Sequence, residues 1–223
     1  MYRFPDEINP QPGILTPEQM ELIKDHSNVV TFNKRDIIFK QNTRTSHVMF
    51  IISGMVKIFK EGRNQKVLIL NIGTPGHFLG LISIFGEDTF TYSASAIVDT
   101  EILFIDINVF KELLEDNGAY GTYLLKKMSL DNLYVFDRLM SQSQKQLPGR
   151  VADIILYFSQ TIYNSLTFEF PLTRNELAEL AGTTKESLIR TLTEFRNDKI
   201  IKLDNRYVEI QSLEIVKTLS RIG

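Results

Sequence analysis

The chain has 223 residues, no cysteine, 43% hydrophobic and 23% charged residues, and a formal net charge of −2. That length allows one large domain or two modest ones with real cores; the lack of cysteine excludes disulfides, thiolate zinc sites and cysteine-ligated iron–sulfur clusters, and the balanced charge makes no general case for a polyanion partner. No apolar run reaches the roughly 18 residues that span a bilayer, and the opening MYRFPDEINPQPG has no signal-peptide core, so a cytoplasmic protein is expected.

Residues 1–15 carry three of the seven prolines and no periodicity, and read as a loose arm. Thr16-Pro17-Glu18-Gln19 is a capping box with proline at the first helical position, opening a short helix to about His26. Short β-favouring runs follow at 29–32, 36–39, 48–52, 55–59 and 67–72, punctuated by turns at Ser53-Gly54 and Glu61 to Asn64, with further strands near 91–98 and 101–105. So many short strands point to an all-β sandwich, jelly roll or barrel.

Asn108 to about Glu115 reads as a short helix, and a long one runs from about Ala119 to Gln144. Along the long helix Leu125, Met128, Asn132, Val135 and Leu139 alternate three and four residues apart, the seam of a coiled coil, where Asn132 would fix register. A second stripe, Tyr123, Leu130 and Tyr134, is left to lie on the β-rich region. Two apolar faces suggest a dimer; a single broad core face in a monomer is the alternative. The polar stretch QSQKQLPG at 142–149 marks a domain boundary. Arg150 to Gln160 returns to helix with Val151, Ile154, Ile155 and Phe158 inward, and Leu166 to Phe170 alternates as a strand.

Leu172 to Leu203 is the most informative stretch. Thr173 with Glu176, and Thr183 with Glu186, each fit a capping box, so two helix starts lie ten residues apart. Gly182 between them is best able to take the left-handed conformation that ends the first helix. Leu177, Leu180 and Ala181 face inward on the first helix, and Leu188, Leu192 and Phe195 on the second. That leaves Lys185, Glu186, Ile189, Arg190 and Thr193 outward, the layout of a helix-turn-helix that offers its second helix to a major groove. Ile200 to Ile210, turning at Asp204-Asn205, reads as a hairpin, the wing of a winged helix, and Ser212 caps a last helix. Between 185 and 206 basic residues only slightly outnumber acidic ones, so charge supports DNA binding weakly.

Arg190 suits the O6 and N7 of guanine, Glu186 the N4 of cytosine, and Ile189 a thymine methyl; Thr173 and Thr184, at helix N-termini, suit phosphates. The plainer reading is that Glu186 and Arg190, four apart, form an exposed ion pair, and that Ile189 serves helix packing.

Thr173-Arg174-Asn175-Glu176-Leu177-Ala178 with Gly182-Thr183-Thr184-Lys185-Glu186, and Ile52-Ser53-Gly54 with Gly76-His77-Phe78-Leu79-Gly80, resemble the signatures of the cyclic-AMP receptor and fumarate–nitrate regulator (CRP/FNR) family of bacterial transcription factors. The resemblance runs from about Asp36 to Arg221. It implies an α+β chain with an N-terminal β jelly-roll, cyclic-nucleotide-binding-like domain over 1–118, a dimerisation helix over 119–145 and a winged helix-turn-helix DNA-binding domain over 146–223. It also implies base reading by Lys185, Glu186 and Arg190, backbone contacts by Arg174 and Arg206, a homodimer on duplex DNA with two half-sites, and RNA polymerase as a partner.

The effector site departs from the family pattern. Cyclic-AMP sensors place a glutamate after a glycine where Leu81 follows Gly80 here, and an arginine where Thr91 or Tyr92 falls; no arginine occurs between Arg63 and Arg138. Val135 and Phe136 stand where hydroxyls would read the adenine. A buried phosphate without a cation is costly, so cyclic AMP is disfavoured and no cofactor is expected. Phe78, Gly80, Leu81, Phe90, Thr91, Tyr92, Val135 and Phe136 would line a pocket for another small molecule, or Phe78, Phe85, Phe90 and Tyr92 simply fill the space. His26, His47 and His77 show no ligand spacing, so no metal is expected, and no catalytic constellation points to an enzyme. The alternative function is a small-molecule sensor or protein-interaction module whose winged helix does not bind DNA.

Overall fold

The structure, a computed structural model, describes residues 5, 8–9, 13–63, 66–86 and 89–223. It divides into two compact units, Met1–Lys66 with Leu70–Leu133, and Val67–Ile69 with Tyr134–Gly223.

In the first unit the capping box forms: Thr16 Oγ1 accepts from the Gln19 amide (3.2 Å) and Gln19 Oε1 from the Thr16 amide (3.1 Å), starting α1 (Pro17–Asp25). The strands are β1 (Ser27–Phe32), β2 (Ile37–Phe39), β3 (His47–Ser53), β4 (Val56–Glu61), β5 (Val67–Gly73, whose first three residues group with the second unit), β6 (Phe78–Leu79), β7 (Ser93–Ala96) and β8 (Thr100–Asp106). They form two four-stranded sheets, ordered β1-β8-β3-β6 and β2-β7-β4-β5. Side chains alternate across a strand, and β3 uses both faces. Met49 and Ile51 join Phe39, Ile58, Leu79, Phe90 and Ala94 in a core between the sheets. Val48 and Phe50 join Ile23, Leu103, Phe110 and Tyr120 in a second core on the opposite face. The helices over that face are α1, α3 (Ile107–Asp116) and the start of α4 (Gly118–Gln144). Helix α3 starts at Asp106, whose carboxylate accepts from the amides of Asn108 and Val109 and is held below its usual range by them.

Several expectations are revised. The N-terminal arm lies largely outside the described residues, yet where described it is anchored: Ile8 and Leu15 are buried, and the Tyr120 hydroxyl donates to the Ile8 carbonyl. The turn at Glu61–Asn64 lies partly outside the described residues. A short helix, α2 (Leu81–Gly86), occupies an apolar run whose six residues are too few to show a period.

The second unit continues α4 into α5 (Leu147–Leu156), which passes into one wide helical turn over Tyr157–Ile162. The break expected at 142–149 is only the two residues 145–146, because Pro148 is accepted at the start of α5, where its missing N–H costs nothing. Gly149 lies against Gly223, where an added Cβ would fall 2.8 Å from backbone atoms. Then come β9 (Thr167–Glu169), α6 (Arg174–Ala181), α7 (Lys185–Asn197), β10 (Ile201–Asp204), β11 (Tyr207–Ile210) and α8 (Leu213–Ile222), with the strands ordered β10-β11-β9. Val151, Ile155, Phe158, Phe168, Leu177, Leu188, Leu192, Phe195 and Val216 are buried. The hairpin turn falls one residue later than expected: Asp204 pairs with Tyr207, so Asn205 and Arg206 turn, and Asn205 tolerates the required φ of 49°. Ser212 begins α8 without a side-chain cap bond.

Candidate nucleic-acid interface and effector region

Helix α6 opens on the expected capping box, in which the Thr173 amide donates to Glu176 Oε2 (2.9 Å) and Thr173 Oγ1 accepts from the Glu176 amide. It closes on Gly182 at φ 62°, ψ 45°. The Gly182 amide reaches the Glu179 carbonyl and the Thr183 amide the Ala178 carbonyl, the paired bonds of a Schellman ending. That ending consumes Thr183. The second cap is therefore Thr184, not the box of Thr183 with Glu186, and Thr184 Oγ1 accepts from the Ser187 amide.

Every inward residue expected on α7 is buried, and Lys185, Glu186, Ile189 and Arg190 are exposed, Ile189 by 41%. No ion pair joins Glu186 to Arg190 among the described residues, so both end groups stay available. Arg174 and Arg206 meet at the wing. The Arg174 guanidinium donates to the Asn205 carbonyl in the wing turn and lies over the Phe170 ring. Burial, and then the neighbouring charge of Arg206, lower its pKa. Two like charges held close together favour an anion beside them, though part of Arg174 is already spent on tying α6 to the wing. Thr173 is committed further, because its hydroxyl also donates to Glu176.

In the first unit the residues expected to share an effector pocket separate. Phe78 and Leu81 belong to the helix-side core, Phe78 edge-on to Phe50 at 4.8 Å. Phe90 and Tyr92 lie between the sheets with Leu79. Strand alternation is the reason: Leu79, not Phe78, is the β6 residue that points inward. Phe90 stacks on Phe39 at 3.9 Å, and the Gly80 amide donates to the Tyr92 hydroxyl at 2.8 Å. Gly80 adopts φ 91°, and a Cβ there would meet Phe90 at 3.3 Å. Burial raises Tyr92 to about 12. Thr91 is half-buried and Phe85 is exposed. A cleft of about 410 Å³ reaches Phe39, Met49, Phe90 and Phe104, with exposed Lys40 and Arg44 at its edge.

Helix α4 is apolar on its exposed side at Leu125, Leu133, Phe136, Leu139 and Met140. The stripe is turned relative to the expected seam: Met128 packs against the helix-side core, Val135 is half-buried, and Leu130, expected on the β-rich region, is 57% exposed. Phe136, expected at the pocket, is 60% exposed. Asn132 stays on the exposed side and bonds back to the Met128 carbonyl.

Residues 29–117 match the cyclic nucleotide-binding domain, and residues 149–218 match the Crp-like helix-turn-helix domain. The chain belongs to the CRP/FNR family. Similar relatives include the CRP-like cAMP-activated global transcriptional regulator of Mycobacterium tuberculosis, 25% identical over 94% of this chain and 96% of that one. The cyclic AMP receptor protein of Thermus thermophilus is 23% identical over 92% and 94%. FixK2 from Bradyrhizobium japonicum shares the fold at TM-score 0.81, with 17% identity over 88% of this chain and 98% of that one. The c-di-GMP responsive global regulator CLP of Xanthomonas campestris does so at 0.75, with 19% identity over 87% and 99%. This CRP/FNR protein is thus a transcriptional regulator of that type with a DNA-binding helix-turn-helix, and these relatives are regulators rather than enzymes. No described helix is long and apolar enough to cross a membrane, and no described cluster of His, Asp and Glu could hold a metal.

Proposed function

We propose that the protein is a homodimeric, sequence-specific regulator of transcription acting in the cytoplasm, with a sensory domain that does not take cyclic AMP. Its parts are an effector domain over 1–118, a dimerisation helix over 119–145 and a DNA-binding domain over 146–223. The carrying observation is the outward face of α7, where Lys185, Glu186, Ile189 and Arg190 are exposed while the other face is buried. Arg190 and Lys185 reach guanine edges, Glu186 a cytosine amine and Ile189 a thymine methyl, while Thr184, Arg174 and Arg206 touch phosphates and Thr173 holds α6 for them.

The exposed side of α4 supports dimerisation, since Leu125, Leu130, Leu133, Phe136, Leu139 and Met140 all stand exposed along one 27-residue helix. Two copies would set two recognition helices about one helical turn apart on a pseudo-palindrome, within reach of RNA polymerase. The lack of any arginine from 64 to 137 supports the exclusion of cyclic AMP, because a cyclic phosphate withdrawn from water needs a paired cation and the core between the sheets is apolar. Arg44 stands exposed at the edge of that core rather than within it. Another small molecule, apolar or aromatic, would have to enter beside Phe90, Thr91 and Tyr92.

Selecting bound duplexes from a random pool, with and without cell extract, tests this reading. The expected product is an inverted repeat that shifts in mobility at low salt. Absence of any shift, with or without extract, would favour a sensor or interaction module that has lost DNA binding.

A further inference from the structure

A cavity of about 490 Å³ lies wholly within the second unit, bounded by the last turns of α4, by α5 and by the end of α6. Its walls combine an apolar part with a cationic one. Tyr134 and Tyr157 stack at 5.4 Å and 28°, and Ile154 and Leu180 extend that wall. Arg138, Lys145 and Arg150 face Asp137 and Asp153.

The charges do not cancel locally. Asp153 is saturated: Lys145 Nζ donates to both its oxygens at 2.8 and 2.9 Å, and Ser141 and Ser220 donate at 2.5 Å. Asp137 is exposed at the edge. The hydrogen bonds of Arg138 and Arg150 among the described residues go to neutral partners. Arg138 bonds the Leu180 carbonyl and the Tyr134 hydroxyl, and Arg150 the carbonyls of Gln142 and Lys145 at 3.3 and 3.4 Å. Arg150 Nε is buried with no hydrogen-bond partner among the described residues, so the bonds that Arg150 does make leave its charge only partly compensated.

We propose that this cavity binds a small organic anion with an aromatic body, the size of a substituted benzoate or phenyl phosphate. The anion would meet the Arg138 guanidinium in charge-assisted bonds beside the positive charge of Arg150, and the ring would lie against the tyrosine wall. The volume is in the range of small-molecule sites. Arg138 gives the site an effect as well as an affinity. Its bond to Leu180 satisfies a carbonyl in the last turn of α6, where intrahelical partners run out. A ligand that draws Arg138 away loosens the end of the first helix of the helix-turn-helix.

Calorimetry and ligand-observed NMR on the full chain test the binding itself, independently of any DNA. Phenyl phosphate and benzoate are expected to bind, with benzyl alcohol and inorganic phosphate each weaker by about tenfold or more, the scale of one charge-assisted bond. Arg150→Gln and Arg138→Gln are expected to weaken phenyl phosphate by about the same factor, while Arg44→Gln, at the other cleft, leaves it unchanged. Melting curves check that each variant folds; should Arg150→Gln not fold, Tyr157→Leu takes its place and is expected to weaken phenyl phosphate more than inorganic phosphate. The proposal is overturned if neither aromatic anion binds at millimolar concentration, if benzyl alcohol or inorganic phosphate binds as well, or if folded variants bind like the parent. A mobility shift with and without phenyl phosphate then reads the coupling, so loss of DNA binding and loss of the site are told apart.

Discussion

Arg190 stands outward on α7, one turn beyond Glu186, and no ion pair joins the two among the described residues, so the proposed base-reading role of Arg190 is open to a direct test. Replacing Arg190 by Ala is expected to relax preference at one base position per half-site, at a cost of about 1–3 kcal/mol, measured by competition binding against duplexes varied at each position. Unchanged preference everywhere would remove Arg190 from the base-reading set. Gly182 has a different kind of importance, since its φ of 62° suits glycine and the nearest side chain, Gln142, lies 3.4 Å from where a Cβ would sit and can move. Gly182→Ala should therefore destabilise by about 1–2 kcal/mol through backbone strain rather than clash, seen as a lower denaturation midpoint with an unchanged slope. His77 adds a pH dependence. Burial lowers its pKa below 6.5, outweighing the attraction of Asp131, whose carboxylate lies 3.3 Å away. Its folded value is thus below its unfolded one, so the unfolded chain binds the proton more readily. Its contribution is fully present above pH 6.5 and is lost as pH falls through the folded value. His77→Gln should flatten the acid side of the stability profile, measured by urea melts between pH 7 and pH 5.

At the scale of single elements, α4 and the recognition pair differ in what holds them. Helices α6 and α7 are defined by caps and by buried faces within one unit. Helix α4 buries only Tyr120 and Leu124 fully and leaves Leu125, Phe136 and Leu139 more than half exposed. An exposed row of this kind is costly in water unless something covers it. Leu125→Glu together with Leu139→Glu is expected to give a folded monomer, because like charges would then face each other across the seam. Sedimentation equilibrium decides this, with circular dichroism as the check on folding; a parent that is already monomeric at micromolar concentration would sink the dimer reading.

For the whole molecule, a net charge of −2 means that the global field does not attract DNA. On the proposed reading, affinity comes instead from Lys185 and Arg190 on α7 and from Arg174 and Arg206, which lie close together at the wing. Binding is accordingly expected to weaken linearly on a log–log plot against salt, with a slope set by the few phosphates neutralised. Removing Arg206 by substitution with Ala should reduce the slope by about one unit for each phosphate it no longer neutralises. The sensory domain should show no heat with cyclic AMP in calorimetry up to hundreds of micromolar, and low-micromolar binding would overturn its exclusion. The matched cyclic nucleotide-binding domain thus shows the fold of that region without carrying the ligand across.

Much of this was legible in the residues alone because it rests on local physics. Thr16 with Gln19, Thr173 with Glu176, Gly182 and the spacing of Leu188, Leu192 and Phe195 each act within a helical turn or two, so caps, turn and buried face all appear where the sequence places them. Where two local solutions compete, chain order cannot choose between them. Thr183 and Thr184 are both good caps, and the choice falls to Thr184 only because the Schellman ending takes the Thr183 amide. Facing was decided at longer range. Phe78 and Leu79 are equally apolar neighbours, and which one enters the core between the sheets depends on β6 pairing with β3, whose register sets Met49 against Leu79. The rotation of the α4 stripe, the bond from Arg138 to Leu180 across 42 residues and the open Nε of Arg150 likewise follow from packing between distant segments. Local hydrogen bonding and periodicity determined the elements; only tertiary contacts, which join residues far apart in the chain, decided which side chains share a cavity and which remain unpaired.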